Sequence, residues 1–280
     1  MHFNFGFTTV QILWTLTFAA LLVLLVVLLG RDRVRRFPWF TTSMVLTALR
    51  LLASRMLYGR IAPLTMSGIF LTLAVMESLV CVLVVVEIAR RAFLGATRRS
   101  WIVGTLVLLS VGAAVLAAWG PWPPFKTLTA DSAIAVLRLM QLVAQKTDLL
   151  SDVLTVELGL LVVLFGRRFK AGWHSHTQQI VIGLSTTSIA QMGMRGIWQQ
   201  IALHAAPRSQ AEYEHVIGLQ EKLYNASSAI FLAVLVWWIV CLWINEPGTE
   251  SAVEVPAASA GTSPAEPNAI PPEEKMPAGL

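Results

Sequence analysis

In the apolar stretch 38–58, Ser43, Thr47, Arg50 and Ser54 recur at helical spacing, which sets a guanidinium and three hydroxyls on one face. Stretch 178–203 repeats the pattern with Ser188, Gln191, Arg195 and Gln199. The residues leading into stretch 147–166 place Arg138, Gln141, Gln145, Asp148 and Asp152 on a single stripe. At the start of stretch 217–243, Glu221, Tyr224, Asn225 and Ser228 line one side, with Lys222 beside them. Glu77 and Glu157 add carboxylates inside apolar runs. Such groups bind rather than break bonds: guanidiniums hold carboxylates, whether the protein's own or those of an anionic ligand. No Ser/His or Ser/Lys dyad, HExxH helix or paired-Asp motif accompanies them, so the expectation is a protein that is not an enzyme.

The elements that must carry these faces are membrane helices. Of 280 residues, 56% are hydrophobic and only 13% charged, and the mean hydropathy is +0.67. Seven spans long enough to cross about 30 Å of hydrocarbon fall at 8–29, 38–58, 64–88, 101–119, 147–166, 178–203 and 217–243. The expected fold is all-α, a polytopic seven-transmembrane-helix bundle over residues 1–245. Lys and Arg number four, four and three in the first, third and fifth connections and one in each of the others. The positive-inside rule then puts the N-terminus outside and the C-terminus in the cytoplasm, in a multi-pass protein of the inner (plasma) membrane. Trp119 and Trp122 near the outer ends, and Trp39, Trp101 and Trp243 near the inner ends, suit an aromatic belt. The first span has no basic segment before it, which fits a retained helix rather than a cleaved signal peptide.

Depth sharpens the expectation. At about 1.5 Å per residue, Arg50 falls just beyond mid-bilayer, Glu77 and Glu157 near the middle, and Asp152 and Arg195 in the outer third. Asp148, Glu221, Lys222 and Arg55 fall close to the outer interface. A charge at such depth costs ~2.5–3.5 kcal/mol on insertion scales, so it must face a partner. Four cations (Arg50, Arg55, Arg195, Lys222) against five acids (Glu77, Asp148, Asp152, Glu157, Glu221) come near to mutual pairing. The expectation is a polar cavity in the outer half, built from Arg50, Glu77, Asp148, Asp152, Glu157, Gln191, Arg195, Gln199, Glu221, Lys222 and Asn225, above an inner half as apolar as "GLLVVLFG" and "AIFLAVLVWWIVCLW". Helix locking alone is the plainer use of the same pairs. Glu87, beside Arg90 and Arg91, reads as structural.

Other features exclude rather than assign. The basic residues form short clusters between apolar runs, not a stripe with interleaved aromatics, which argues against nucleic acid. Cys81 and Cys241 both lie in spans and read as apolar fillers, and no metal or other cofactor is implied. His174 and His176 in "GWHSH" read as a solvated loop. Lys222 lies too near the outer end, without an aspartate a turn before it, to serve as a retinal lysine. Residues 246–280, with seven prolines and six acids, have the composition of a disordered cytoplasmic tail.

The basic first connection running into "RRFPWFTTSMVLTALRLL", within seven spans, resembles uncharacterised bacterial seven-helix membrane proteins. The architecture is more loosely similar to the seven-helix sensor modules that precede bacterial signalling enzymes. That resemblance implies a sensor or receptor without an output domain of its own. Its partners would be the lipid bilayer and, at the Arg-rich connections, a cytoplasmic signalling protein or anionic lipid. A small-solute or proton-coupled transporter using Glu77 or Glu157, and a structural subunit of a membrane complex, are the competing readings.

Overall fold

Helices begin where the local sequence supplies a start. Thr8 and Gln11 form a reciprocal capping box at the first helix, with both bonds at 3.4 Å. Pro38 and Pro63 each occupy a first helical position, where the missing N–H costs nothing. Gly59, at φ 74°, turns the chain before Pro63 in a conformation that suits glycine. The computed structural model describes residues 8–57, 59–92, 98–118, 133–165, 175–204 and 210–244. The helices are α1 (Thr9–Gly30), α2 (Arg33–Arg36), α3 (Pro38–Leu57), α4 (Pro63–Ala92), α5 (Arg98–Ala118), α6 (Ala133–Phe165), α7 (His176–His204) and α8 (Gln210–Trp243). No strand occurs among the described residues.

The chain divides into Met1–Glu246, which holds all of these helices, and Pro247–Leu280. The second unit, expected to be a disordered tail, lies outside the described residues. So do the connecting residues 93–97, 119–132, 166–174 and 205–209, and with them Trp119, Trp122 and His174.

Three helical stretches are long and apolar enough to cross a membrane: Thr9–Gly30, Pro63–Arg91 and Glu212–Trp243. Their outward faces stay uncovered. Val26 and Leu29 on α1, for example, are each 66% exposed. A helix that is apolar on the side away from its neighbours is built for hydrocarbon rather than for water. The protein is therefore a helical one with membrane-compatible helices. The long helices α3, α6 and α7 are less apolar because they carry most of the polar faces described above.

Packing places six long helices in a closed ring, in the order α1, α3, α4, α6, α7, α8 and back to α1, while α5 rests against α6 outside it. One end of the ring is filled by apolar side chains. These come from the second halves of α1, α4, α6 and α8 and the first halves of α3 and α7, including Leu24, Phe37, Phe40, Ile88, Leu158, Ile180 and Trp238. The direction of travel accordingly reverses from α1 to α3, from α3 to α4, from α6 to α7 and from α7 to α8.

Trp238 anchors this end. It is fully buried, meets Phe40 edge-on at 5.1 Å, and donates from Nε1 to the Gln179 carbonyl at 3.3 Å. Gly183 lies so close under the indole that a Cβ there would strike the ring, so glycine is what admits tryptophan at this crossing.

The polar residues before stretch 147–166 extend that helix, giving the 33-residue α6. One expectation changes here. His176 is not solvated: it opens α7 and is 2% exposed. Its position at the start of an inward-facing stripe with Ile180 and Gly183 overrides the polar composition around it.

Candidate functional site

The other end of the ring encloses a cavity of about 560 Å³, lined by residues from all six ring helices. Hydroxyl and amide side chains at helical spacing supply the frame. Ser43, Thr47 and Arg50 come from α3, Glu77, Ser78 and Cys81 from α4, Asp148, Ser151, Asp152 and Thr155 from α6, and Ser188, Gln191 and Arg195 from α7. Several hydroxyls are tied back to their own helix. Thr47 donates to the Ser43 carbonyl at 3.0 Å, and Thr155 to the Ser151 carbonyl at 2.6 Å. This lets a hydroxyl sit in an apolar helix without an orphan donor.

The charges pair across helix contacts. Arg50 Nη1 lies 2.6 Å from Glu77 Oε2, and Thr47 Oγ1 lies 2.6 Å from the other oxygen of that carboxylate. Arg195 bridges two acids one helical turn apart, with Nη1 3.2 Å from Asp152 Oδ2 and Nη2 3.5 Å from Asp148 Oδ2. Ser78 hydrogen-bonds Asp148 from α4, and Ser188 of α7 lines the same cavity as Asp152. Glu77 and Asp152 are the sequestered partners, with side chains 15% and 9% exposed, whereas Arg50 and Arg195 keep 44% and 39% of their surface. The acids are thus held in the wall, and the longer cations reach them along the cavity.

No protein-family model, curated protein or solved structure matches the chain. The residues themselves must carry the argument.

The expected candidates divide cleanly. Arg50, Glu77, Asp148, Asp152, Gln191 and Arg195 all line the cavity. Gln199, Glu221, Lys222 and Asn225 lie outside its wall, and the first three are exposed. On α8 the inward residues are instead Gln220, Leu223, Tyr224, Ser227, Ser228 and Phe231. A one-residue difference turns a side chain by about 100°, which is why Gln220 and Tyr224 enter the cavity while Glu221 and Asn225, each one residue later, do not. Glu157 also stays out, with both carboxylate oxygens buried and without a hydrogen-bond partner among the described residues.

Two contributions escaped the sequence reading. Trp14 and Thr17 from α1 line the cavity, and the Trp14 indole nitrogen and the Thr17 hydroxyl are buried with no hydrogen-bond partner among the described residues. Their spacing of three residues was the available signal, but α1 is so uniformly apolar that no inward face stood out. Chemically, the site can hold a polar solute against fixed charges and aromatic rings.

Proposed function

We propose that the chain is a seven-span receptor-like module of the inner membrane, with its N-terminus outside and its C-terminus in the cytoplasm. In this reading α1, α3, α4, α5, α6, α7 and α8 are the spans, and the cavity opens toward the outer face. The reversal of direction along the ring and the Arg-rich first connection support that topology. It is a binding protein, not a catalyst, and passes its state to a cytoplasmic partner or to anionic lipid through the Arg-rich connections.

The observation that carries the reading is the Arg195 bridge. One α7 cation is shared between two α6 carboxylates at 3.2 and 3.5 Å, so a ligand that takes over either acid changes how the two helices are tied. A ligand shifts such an equilibrium only by binding the two arrangements unequally, and a charge bridge inside a cavity supplies that inequality.

The test uses the full chain in lipid nanodiscs, with nitroxides at Arg55→Cys and Glu221→Cys in a background lacking Cys81 and Cys241. Two distance populations, with a ratio altered by Asp152→Asn, are expected. A single distance that Asp152→Asn leaves unmoved removes the switch. Dissipation of an imposed pH gradient by proteoliposomes, lost in Glu157→Gln, would replace the receptor with a proton-coupled transporter.

A further inference from the structure

We propose that the cavity takes an organic cation bearing a hydrogen-bond acceptor, its ammonium lodging beside Asp148 and Asp152; this deepens the reading of the cavity as a ligand site and rests on it. The charges give the sign. Among the described residues, three carboxylates (Glu77, Asp148, Asp152) line the cavity against two guanidiniums (Arg50, Arg195), with no lysine or histidine. Arg50 is committed to Glu77 at 2.6 Å, while Arg195 divides itself between two aspartates. One negative charge is left over. In a low-dielectric site an excess charge is the costly condition, and a monocation removes it while an anion doubles it.

A proton would also restore neutrality, but it leaves the opposite wall unserved. Trp14 Nε1 can only donate and Thr17 Oγ1 can donate or accept, and both are buried without a partner among the described residues. Thr17 is 5% exposed and lines the cavity. A buried orphan donor is costly, so these two atoms call for an acceptor oxygen on whatever fills the space. Between the two polar walls stand the rings of Trp198, Tyr224, Phe231 and Trp238. Aromatic faces attract ammonium groups and repel carboxylates. The volume of about 560 Å³ lies within the range of small-molecule sites.

The experiment compares three molecules of one frame on the full chain in nanodiscs: tyramine as the cation, tyrosol as the neutral alcohol and 4-hydroxyphenylacetate as the anion. Saturable tyramine binding is expected, about tenfold or more tighter than tyrosol, with no gain for the anion. Asp152→Asn is expected to remove that preference, bringing the ratio of tyramine to tyrosol affinity close to one. Trp14→Phe is expected to erase any advantage of tyramine over phenethylamine, which lacks the phenolic oxygen. Equal or tighter binding of the alcohol or the anion overturns the proposal, as does absence of tyramine binding from pH 6 to 8.

A second measurement needs no aspartate variant. Cys81 lines the cavity, 3.7 Å from the Ser43 hydroxyl. In a Cys241→Ser background its thiol loses a proton to solvent, and the thiolate attacks the sulfenyl sulfur of a methanethiosulfonate, forming the disulfide as the S–SO2 bond breaks and methanesulfinate leaves with the bonding pair. After division by each reagent's rate with a free thiol, a cationic reagent is expected to react about tenfold faster than an anionic one. Parity or the reverse order overturns the proposal. Failure of both measurements with two distance populations intact leaves the receptor reading standing. Tyramine binding with a single distance keeps the site and removes the switch.

Discussion

The two ends of the helix ring solve the same packing problem in opposite ways. At the Trp238 end, apolar side chains interlock: the indole nitrogen is used, Gly183 makes room for the ring, and Phe40 closes its edge. At the Arg195 end, the helices are held apart around a cavity and tied by charges that do not balance. Between helices in lipid, apolar surface is no better buried against protein than against acyl chains, so shape and polar contacts must decide the packing. The first end is fixed by shape, which has one good solution. The second is fixed by pairing, which has several. A molecule that must both hold together and change state needs one of each.

The comparison breaks first if shape is not decisive at the apolar end. Trp238→Ala removes a fully buried ring that touches Phe40 and Gly183 and reaches Gln179. The expected loss is about 3–5 kcal/mol, measured by reversible unfolding in mixed detergent. Since Trp238 also floors the cavity, tyramine binding is expected to weaken in the same variant. A loss below about 1 kcal/mol, the level of an ordinary substitution, would mean that this end is held by something other than interlocking.

At the polar end, Arg195→Leu is expected to cost more than Arg50→Leu. Removing Arg195 leaves two acids without a cation, one of them 9% exposed, whereas removing Arg50 leaves only Glu77. Breaking a fully buried pair costs 3–5 kcal/mol, and the partial exposure of both cations brings this down to about 2 for Arg195 and about 1 for Arg50. Asp152→Asn added to Arg195→Leu is expected to recover part of the loss, because the uncompensated carboxylate is then gone. Unfolding of the two single variants and the double variant checks both the order and the recovery.

How much of this was legible beforehand depended on contrast within each helix. On α3 and α7, Thr47, Arg50, Ser188, Gln191 and Arg195 stand out against apolar neighbours, so spacing alone named the inward face. Asp148 and Asp152 did the same on α6, while Arg138, Gln141 and Gln145 of the same stripe proved exposed. A stripe continues along a helix even where the neighbouring helices no longer face it. On α8 the contrast failed. "AIFLAVLVWWIVCLW" is apolar all round, so its rotation had to be guessed from the charged residues at one end, and Glu221, Lys222 and Asn225 were assigned inward wrongly. Trp14 and Thr17 were invisible for the same reason. The excess of one carboxylate is already present in the sequence tally of four cations against five acids, and it persists because Glu157, Glu221, Lys222 and Arg55 all lie outside the cavity wall.

The smallest expected effect is the most informative about whether the ends are independent. Glu87 is a paired acid at the apolar end. One of its oxygens accepts from the backbone N–H groups of Trp39 and Phe40, at 3.1 and 3.2 Å, and the other lies 3.9 Å from Arg91 Nη2. Helix α3 begins with Pro38 after Phe37, so neither residue offers a side-chain oxygen to its first turn, and α4 supplies the cap instead. Glu87→Ala is expected to cost about 1 kcal/mol, in the range of a lost N-cap, and Glu87→Gln less, because the amide oxygen still accepts. If α3 is a rigid rod between the two ends, loosening its start shifts Thr47 and Arg50 as well, and the Cys81 labelling rate changes with the stability. If shape alone fixes the apolar end, stability falls and the labelling rate stays where it was. That second outcome is the one the interlocked packing around Phe40 requires, since its ring is held by Trp238 whether or not the first turn of α3 is capped.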